Sequence, residues 1–183
     1  AHIRVSTTEA AVPGLPAELD GLRLCLIGDI HMNRYKNGND MTPVKNALQY
    51  DLDHLYFFSG DLTSRGRRFL KPALQLTANP RGKIGSVACM GDHDYWTAPD
   101  LIADEMQKRG WHFLRNRHHL FTYKGRRILV TGITYVYSKR ISRYQLENLL
   151  ATAPEADLKI ILVHQPREYL VETAAQYGYH VFL

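Results

Sequence analysis

At 183 residues, with 45% hydrophobic and 22% charged residues, the chain has the size and balance of one globular domain with a sizeable core. This composition excludes a disordered or repetitive chain, and no apolar run approaches the roughly 20 residues of a membrane helix. The formal charge of +5 favours anionic partners such as phosphate esters, nucleic acid or lipid headgroups.

In chain order, residues 1–20 lack the apolar segment of a signal peptide. Residues 22–27 (LRLCLI) read as a strand that ends at Gly28-Asp29. A helix is expected at 42–50, then a strand at 55–59 (LYFFS) ending at Gly60-Asp61, and another at 84–90 (IGSVACM) ending at Gly91-Asp92. Continuous apolar runs of this length imply strands buried on both faces. A helix follows at 99–109. Residues 112–123 and 126–133 alternate as strands, joined by a turn at Lys124-Gly125. The next helix spans 142–153, with Ser142 as N-cap and Leu146, Leu149 and Leu150 on one face. A strand at 160–163 runs into His164, and a helix at 168–177 closes at Gly178. Cys25 and Cys89 each lie within an apolar run, read as structural thiols, and leave the compartment open. The basic groups at 65–68 and 126–127 read as solvated loop charges. The missing initiator methionine and the apolar end at 180–183 suggest a piece of a longer chain.

Strands alternating with helices imply an α/β layered fold, in which a site forms at the carboxyl ends of the strands. There the sequence collects Asp29 and His31, then Asp61, then Asp92, His93 and Asp94, then His164. Such carboxylates would repel one another at one sheet edge unless a cation neutralised them. Mixed oxygen and nitrogen donors suit Mn, Fe or Zn better than Ca or Mg. In an extended segment Asp29 and His31 would point the same way and grip one ion, with Ile30 turned to the core.

The order D-x-H, G-D, G-[N/D]-H-D, H resembles the calcineurin-like metallophosphoesterases. The segment 12–31 is similar to the start of the branch that holds small bacterial phosphodiesterases and UDP-diacylglucosamine pyrophosphohydrolase-like proteins. The resemblance implies an α-β-β-α sandwich of two mixed sheets flanked by helices, one metallophosphoesterase domain over 1–183, and a site with two divalent metal ions, Mn foremost. By the same resemblance Asp29 and His31 match ligands of the first metal and Asp61 the bridging carboxylate. Asp92 and His164 match ligands of the second. His93 matches the imidazole that meets the substrate phosphate or protonates the leaving group, and Asp94 the residue that orients His93. The chain departs from the pattern twice. Asp92 stands where the family usually has Asn, which should hold the second metal more tightly and weaken it as a Lewis acid. The closing Gly-His-x-His motif does not follow 181–183, so the fold and ligand set are expected to be incomplete at the C-terminus and metal affinity poor.

What the resemblance implies is hydrolysis of a phosphodiester or pyrophosphate bond by a hydroxide activated between two metals. Partners would be a nucleotide-sugar lipid, a phospholipid or another phosphodiester, with peripheral membrane contact and no specific nucleic-acid binding. Residues 34–36, Tyr95-Trp96 and 135–140 (YVYSKR) are candidate rims of the site. The alternatives are a nuclease of the same fold and a non-catalytic metal-binding scaffold. Scattered charge speaks against the nuclease, and the His93-Asp94 pair against the scaffold.

Overall fold

Side chains alternate between the two faces of a strand, and in this protein that alternation shows how the layers stack. The computed structural model describes residues 6–34, 55–64, 66–78, 80 and 82–183. The helix expected at 42–50, the rim residues 35 and 36, and Arg65 of the basic group lie outside the described residues.

In chain order the elements are β1 (Leu24–Ile27), β2 (Leu55–Phe58), α1 (Leu70–Leu76), β3 (Gly85–Ala88), α2 (Asp92–Thr97), α3 (Pro99–Lys108) and β4 (His112–Phe113). Then follow β5 (Arg117–Tyr123), β6 (Arg126–Ile133), β7 (Tyr135–Val136), β8 (Lys139–Arg140), α4 (Arg143–Ala151), β9 (Leu158–Val163), α5 (Glu168–Gln176) and β10 (Val181–Phe182). The first sheet has the order β1-β2-β3-β4 and is parallel throughout its described strands. The second has the order β10-β9-β6-β5, parallel except for the antiparallel β5–β6 pair. A small hairpin pairs β7 with β8.

Along β2, Tyr56 and Phe58 enter one apolar cluster while Leu55 and Phe57 enter another, as period 2 demands. The first cluster packs the first sheet against α1 and α3 through Leu70, Leu74, Ile102 and Met106. The second fills the space between the sheets, where Leu55, Phe57 and Val87 meet Ile128, Val130, Ile160 and Leu162. The third packs the outer face of the second sheet, Leu129, Ile133, Ile161 and Val163, on Leu146 and Leu150 of α4 and Leu170 and Ala174 of α5. The layers therefore run helix, sheet, sheet, helix, which is the expected α/β sandwich. Burial of each such large apolar side chain contributes roughly 1.5–3 kcal/mol. No helix among the described residues is long and apolar enough to cross a membrane.

Three local readings change. The strand expected over 112–123 divides into β4 in the first sheet and β5 in the second. Asn116, at φ 50°, turns the chain between the sheets while its Oδ1 accepts the Thr134 N–H at 2.8 Å. The run at β1 is not buried on both faces: Leu26 is 46% exposed, since β1 is the outermost described strand of its sheet. Helices α1 and α2 carry little sequence signal of their own. Pro72 and the short lengths hide α1, and α2 contains the site residues themselves. Other signals read as expected. Lys124 and Gly125, both at positive φ, make the β5–β6 turn. Ser142 Oγ accepts Gln145 N–H at 3.2 Å while Gln145 Oε1 accepts Ser142 N–H at 3.0 Å, capping α4 reciprocally.

One polar chain crosses the second sheet and carries a pH prediction. His118 Nε2 lies 2.9 Å from the Leu149 carbonyl, which can only accept, so Nδ1 is bare and accepts the Thr131 hydroxyl at 2.7 Å. Thr131 Oγ1 in turn accepts from Tyr179 at 2.5 Å. Burial holds the His118 pKa below its free value of 6.5, with the nearby Lys159 charge acting the same way. The native state therefore binds fewer protons than the unfolded chain just below that value. Stability is complete above about pH 6.5 and is lost as the pH falls. His118→Gln is expected to lower the melting temperature at pH 7.5 and to reduce its fall between pH 7.5 and 5.5 by on the order of 2 °C. Thermal melts across that range check this; an unchanged slope counts against it. His112 and His119, stacked at 3.6 Å and also held down by burial, leave a residual slope of the same sign.

Candidate metal centre

The loops after β1 and β2 continue the strand ladder past the ends of the strands. Asp29 N–H bonds to Gly60 O (3.0 Å), His31 N–H to Asp61 O (2.9 Å), and Met32 N–H to Leu62 O (3.0 Å). Within this ladder Asp29, His31 and Asp61 all take left-handed conformations, at φ 53°, 50° and 57°. Each non-glycine residue held there costs on the order of 1–3 kcal/mol, and the ladder on both sides maintains it. The extended geometry expected for Asp29-Ile30-His31 is thus corrected. The two side chains converge because the backbone kinks at both residues, while Ile30 is buried as expected.

Two glycines allow a third loop to close on these. A Cβ at Gly60, itself at φ 101°, would overlap the Gly91 amide nitrogen and lie 2.6 Å from Gly91 Cα. A Cβ at Gly91 would overlap the Asp61 amide and carboxylate. Backbone meets backbone here, so neither neighbour can give way.

The convergence puts His31 Nε2 3.4 Å from Asp29 Oδ1 and 3.3 Å from Asp61 Oδ2. His164 Nε2 lies 3.6 Å from the same Asp61 Oδ2 and 3.6 Å from Asp92 Oδ2. Asp61 Oδ2 is therefore common to two groups of donors. Donors about 2.1 Å from one ion stand roughly 3.0–3.5 Å apart, so the spacing matches ligands around shared cations. Ligand-capable atoms of Asp29, Asp61 and His164 lie within 4.8 Å of one another, as do those of His31, Asp61 and His93.

The state of His164 tests this fit independently. Its Nδ1 is 2.8 Å from the Ser59 carbonyl, which fixes the proton on Nδ1. The Nε2 lone pair then faces two carboxylate oxygens, an arrangement of acceptors that only a cation or a further proton can satisfy. The donor set fits divalent metal ions.

Asp92, His93 and Asp94 do not extend a strand but form the first turn of α2. Asp94 is fully buried. Its Oδ2 accepts N–H bonds from Asp61 (2.8 Å) and Gly91 (3.1 Å), and its Oδ1 accepts from Leu62 (2.9 Å). Burial pushes its carboxyl up to about 6, with Asp61 adding to the rise and the three N–H donors opposing it. The expected carboxylate–imidazole contact with His93 is absent. His93 Nδ1 instead pairs with the Ser64 carbonyl, and its backbone N–H bonds to Asp61 Oδ1 at 2.8 Å. Both Asp94 oxygens accept backbone N–H bonds that join the loops, and the partner found on His93 Nδ1 is the Ser64 carbonyl.

The model of the calcineurin-like phosphoesterase family matches residues 22–182. The chain belongs to that family. A curated Danio rerio protein described as a transmembrane protein with metallophosphoesterase domain is 30% identical over 95 residues, which are 52% of this chain and 22% of that protein. The chain thus matches about a fifth of that relative's length. Among solved structures, a protein of unknown function from Aquifex aeolicus is similar at 19% identity and TM-score 0.45, covering 88% of both chains. A hypothetical protein from Thermus thermophilus is similar at 15% identity and TM-score 0.47, covering 85% of this chain and 63% of that one.

The family is one of phosphoesterase hydrolases, and divalent metals are typical of it. Asp92 has donors on both oxygens. The Tyr137 backbone N–H meets Oδ1, and the Gln165 side-chain amide meets Oδ2. Two N–H donors suit a carboxylate better than an amide, whose own NH₂ would face one of them. Ser59, Ser64, Gln165 and the Tyr137 amide were not legible as site residues. Backbone acceptors leave no mark in sequence, and Gln165 had only its place beside His164. His180 lies elsewhere, its Nδ1 accepting Lys159 N–H at 3.1 Å.

Proposed function

We propose that this protein is a metal-dependent phosphoesterase that hydrolyses phosphodiester or pyrophosphate bonds with two divalent ions, Mn foremost. Asp29, His31 and Asp61 would hold one ion, and Asp61, Asp92 and His164 the other. The observation that carries the reading is the His164 imidazole, protonated at Nδ1 and aimed with its bare nitrogen at Asp61 and Asp92. Mixed imidazole and carboxylate donors favour Mn, Fe or Zn over Ca and Mg.

When bound, such ions supply Lewis-acid charge to the phosphate and lower the pKa of water. The chain's own residues do the rest. His93, anchored through Nδ1 to Ser64, keeps Nε2 free to meet a phosphate oxygen, or to give a proton to the leaving oxygen when the ring is protonated. Asp61 Oδ1 fixes the His93 backbone at 2.8 Å, so the imidazole and the shared carboxylate keep one relative position. Asp94 holds the three loops in register through backbone N–H groups.

The test is hydrolysis of bis(4-nitrophenyl) phosphate by purified protein with Mn, Fe, Zn, Mg or Ca, before and after chelation. Hydrolysis with Mn that chelation abolishes, together with a Mn-dependent rise in melting temperature, is the expected result. Neither hydrolysis nor a thermal response to any of the five ions would falsify the reading.

A further inference from the structure

The centre is bordered by two exposed rings and a guanidinium to which hydrolysis itself gives no task. Trp96, in α2, packs edge-on against His93 with ring centroids 5.2 Å apart and yet stays 56% exposed. His93 in turn meets His31 edge-on at 4.8 Å, so the indole continues a row of rings leading out from the centre. From the other element, the β7–β8 hairpin is tied to the site by the Tyr137 N–H on Asp92. The Tyr137 side chain is 73% exposed. The Arg140 guanidinium lies 5.4 Å from the Tyr135 ring centroid and 6.0 Å from that of Tyr137. Asp92 and His93 are consecutive, so α2 and the hairpin bring an indole and a phenol to the borders of the same two site residues.

Leaving two large aromatic surfaces in water beside a polar centre forgoes burial that a ligand could restore. The kind of ligand follows from what is offered. Rings accept planar groups by offset or edge-on stacking and contribute about 1–3 kcal/mol per base or ring. An acyl chain would call for aliphatic walls, and among the described residues the exposed apolar groups that touch or adjoin Asp92 and His93 are the aromatic Trp96 and Tyr137. Arg140 spreads its charge over two tyrosine faces, which keeps its position defined and adds a cation for an anionic ligand.

We propose that Trp96, Tyr137 and Arg140 form a leaving-group subsite that selects phosphate esters of planar aromatic alcohols or nucleosides over alkyl phosphate esters. This rests on the phosphoesterase reading above. Trp96 stacks on the ring, Tyr137 adds a second aromatic surface from the hairpin, and Arg140 attracts the charge.

The experiment compares kcat/KM for bis(4-nitrophenyl) phosphate and for glycerophosphocholine, which has no ring, in Mn-loaded wild type, Trp96→Ala, Trp96→Phe and Tyr137→Ala. Because each ester is its own reference, differences in leaving-group reactivity cancel. The aryl-over-alkyl ratio is expected to fall about tenfold in Trp96→Ala and in Tyr137→Ala, mainly through KM, a change within the stacking range. Trp96→Phe is expected to restore most of it. A ratio unchanged in both alanine variants overturns the subsite while leaving phosphoesterase activity standing. If the Mn-loaded wild type hydrolyses neither ester, the five-ion hydrolysis and thermal test above decides the phosphoesterase reading, and fluorescence decides the subsite. Quenching of tryptophan emission by adenosine monophosphate, seen in the wild type and lost in Trp96→Phe, supports it; no quenching overturns it. Trp111 is buried and gives a constant background.

Discussion

Asp61→Asn is expected to lower kcat/KM with Mn by about a thousandfold, equivalent to roughly 4 kcal/mol of transition-state stabilisation. The substitution is nearly isosteric, so its effect is chemical. Oδ1 already accepts the His93 backbone N–H, which fixes which end of an amide must stay oxygen. The NH₂ then falls where Oδ2 stands, 3.3 Å from His31 Nε2 and 3.6 Å from His164 Nε2. A donor would point into the space where ligands of both ions converge, and the one carboxylate able to serve both would be gone. The metal-free protein behaves differently. Asp29, Asp92 and Asp94 lie around Asp61, so removing its charge relieves repulsion. Its melting temperature is expected to hold or rise while the increase caused by Mn disappears. Calorimetric titration with Mn and thermal melts with and without chelator separate the two effects. Unchanged Mn affinity would mean that Asp61 Oδ2 is not a ligand.

The residues of the centre were legible in sequence because four acidic or imidazole groups, each common alone, follow four apolar runs in one order. Asp29, His31, Asp61, Asp92, His93 and His164 come together as that pattern suggested. The way they come together was not legible. Alternation predicts an extended Asp29-Ile30-His31, whereas the chain turns left-handed at Asp29 and His31. That conformation is unfavourable for both residues, so local propensity argues against it. It persists because bonds to Gly60, Asp61 and Leu62 hold it, and those depend on partners some 30 residues away.

The same division separates the elements that were read correctly from those that were not. Strands β2 and β9 and helix α4 announce themselves through their own side chains: apolar runs in the strands, Ser142 and Gln145 at the helix start. The split between β4 and β5 depends on which sheet each half joins, a tertiary choice that a strand reading of the whole run 112–123 conceals. Helix α2 is only six residues long and begins with three site residues, so ligand chemistry masks its helical signal. Asp94 is the clearest case. The family resemblance implies that it orients His93, and the structure gives the carboxylate to three backbone amides.

That reassignment makes Asp94 the position where substitution should cost most stability. Asp94→Ala would leave the N–H groups of Gly91, Asp61 and Leu62 buried without acceptors. Each such group costs about 1–3 kcal/mol, and relief of repulsion with Asp61 offsets part of the sum. A net loss of roughly 3–6 kcal/mol is expected, a large share of the 5–15 kcal/mol typical of whole domains. Asp94→Asn keeps one oxygen acceptor but turns an NH₂ towards the donors, so an intermediate loss of about 2–3 kcal/mol is expected. Urea denaturation of the metal-free proteins measures both, with an unchanged slope showing that the native and unfolded states are otherwise the same. The two roles open to Asp94 predict opposite pairings of results. If it joins the loops, stability falls first and activity follows in proportion to the folded fraction and to the lost register of Asp61. If it acted on His93, Asp94→Asn would keep its stability and lose its rate, and the acidic limb of the pH–rate profile would shift. With every carboxylate oxygen bonded to backbone, and Ser64 on His93 Nδ1, the first pairing is the one the hydrogen bonds support.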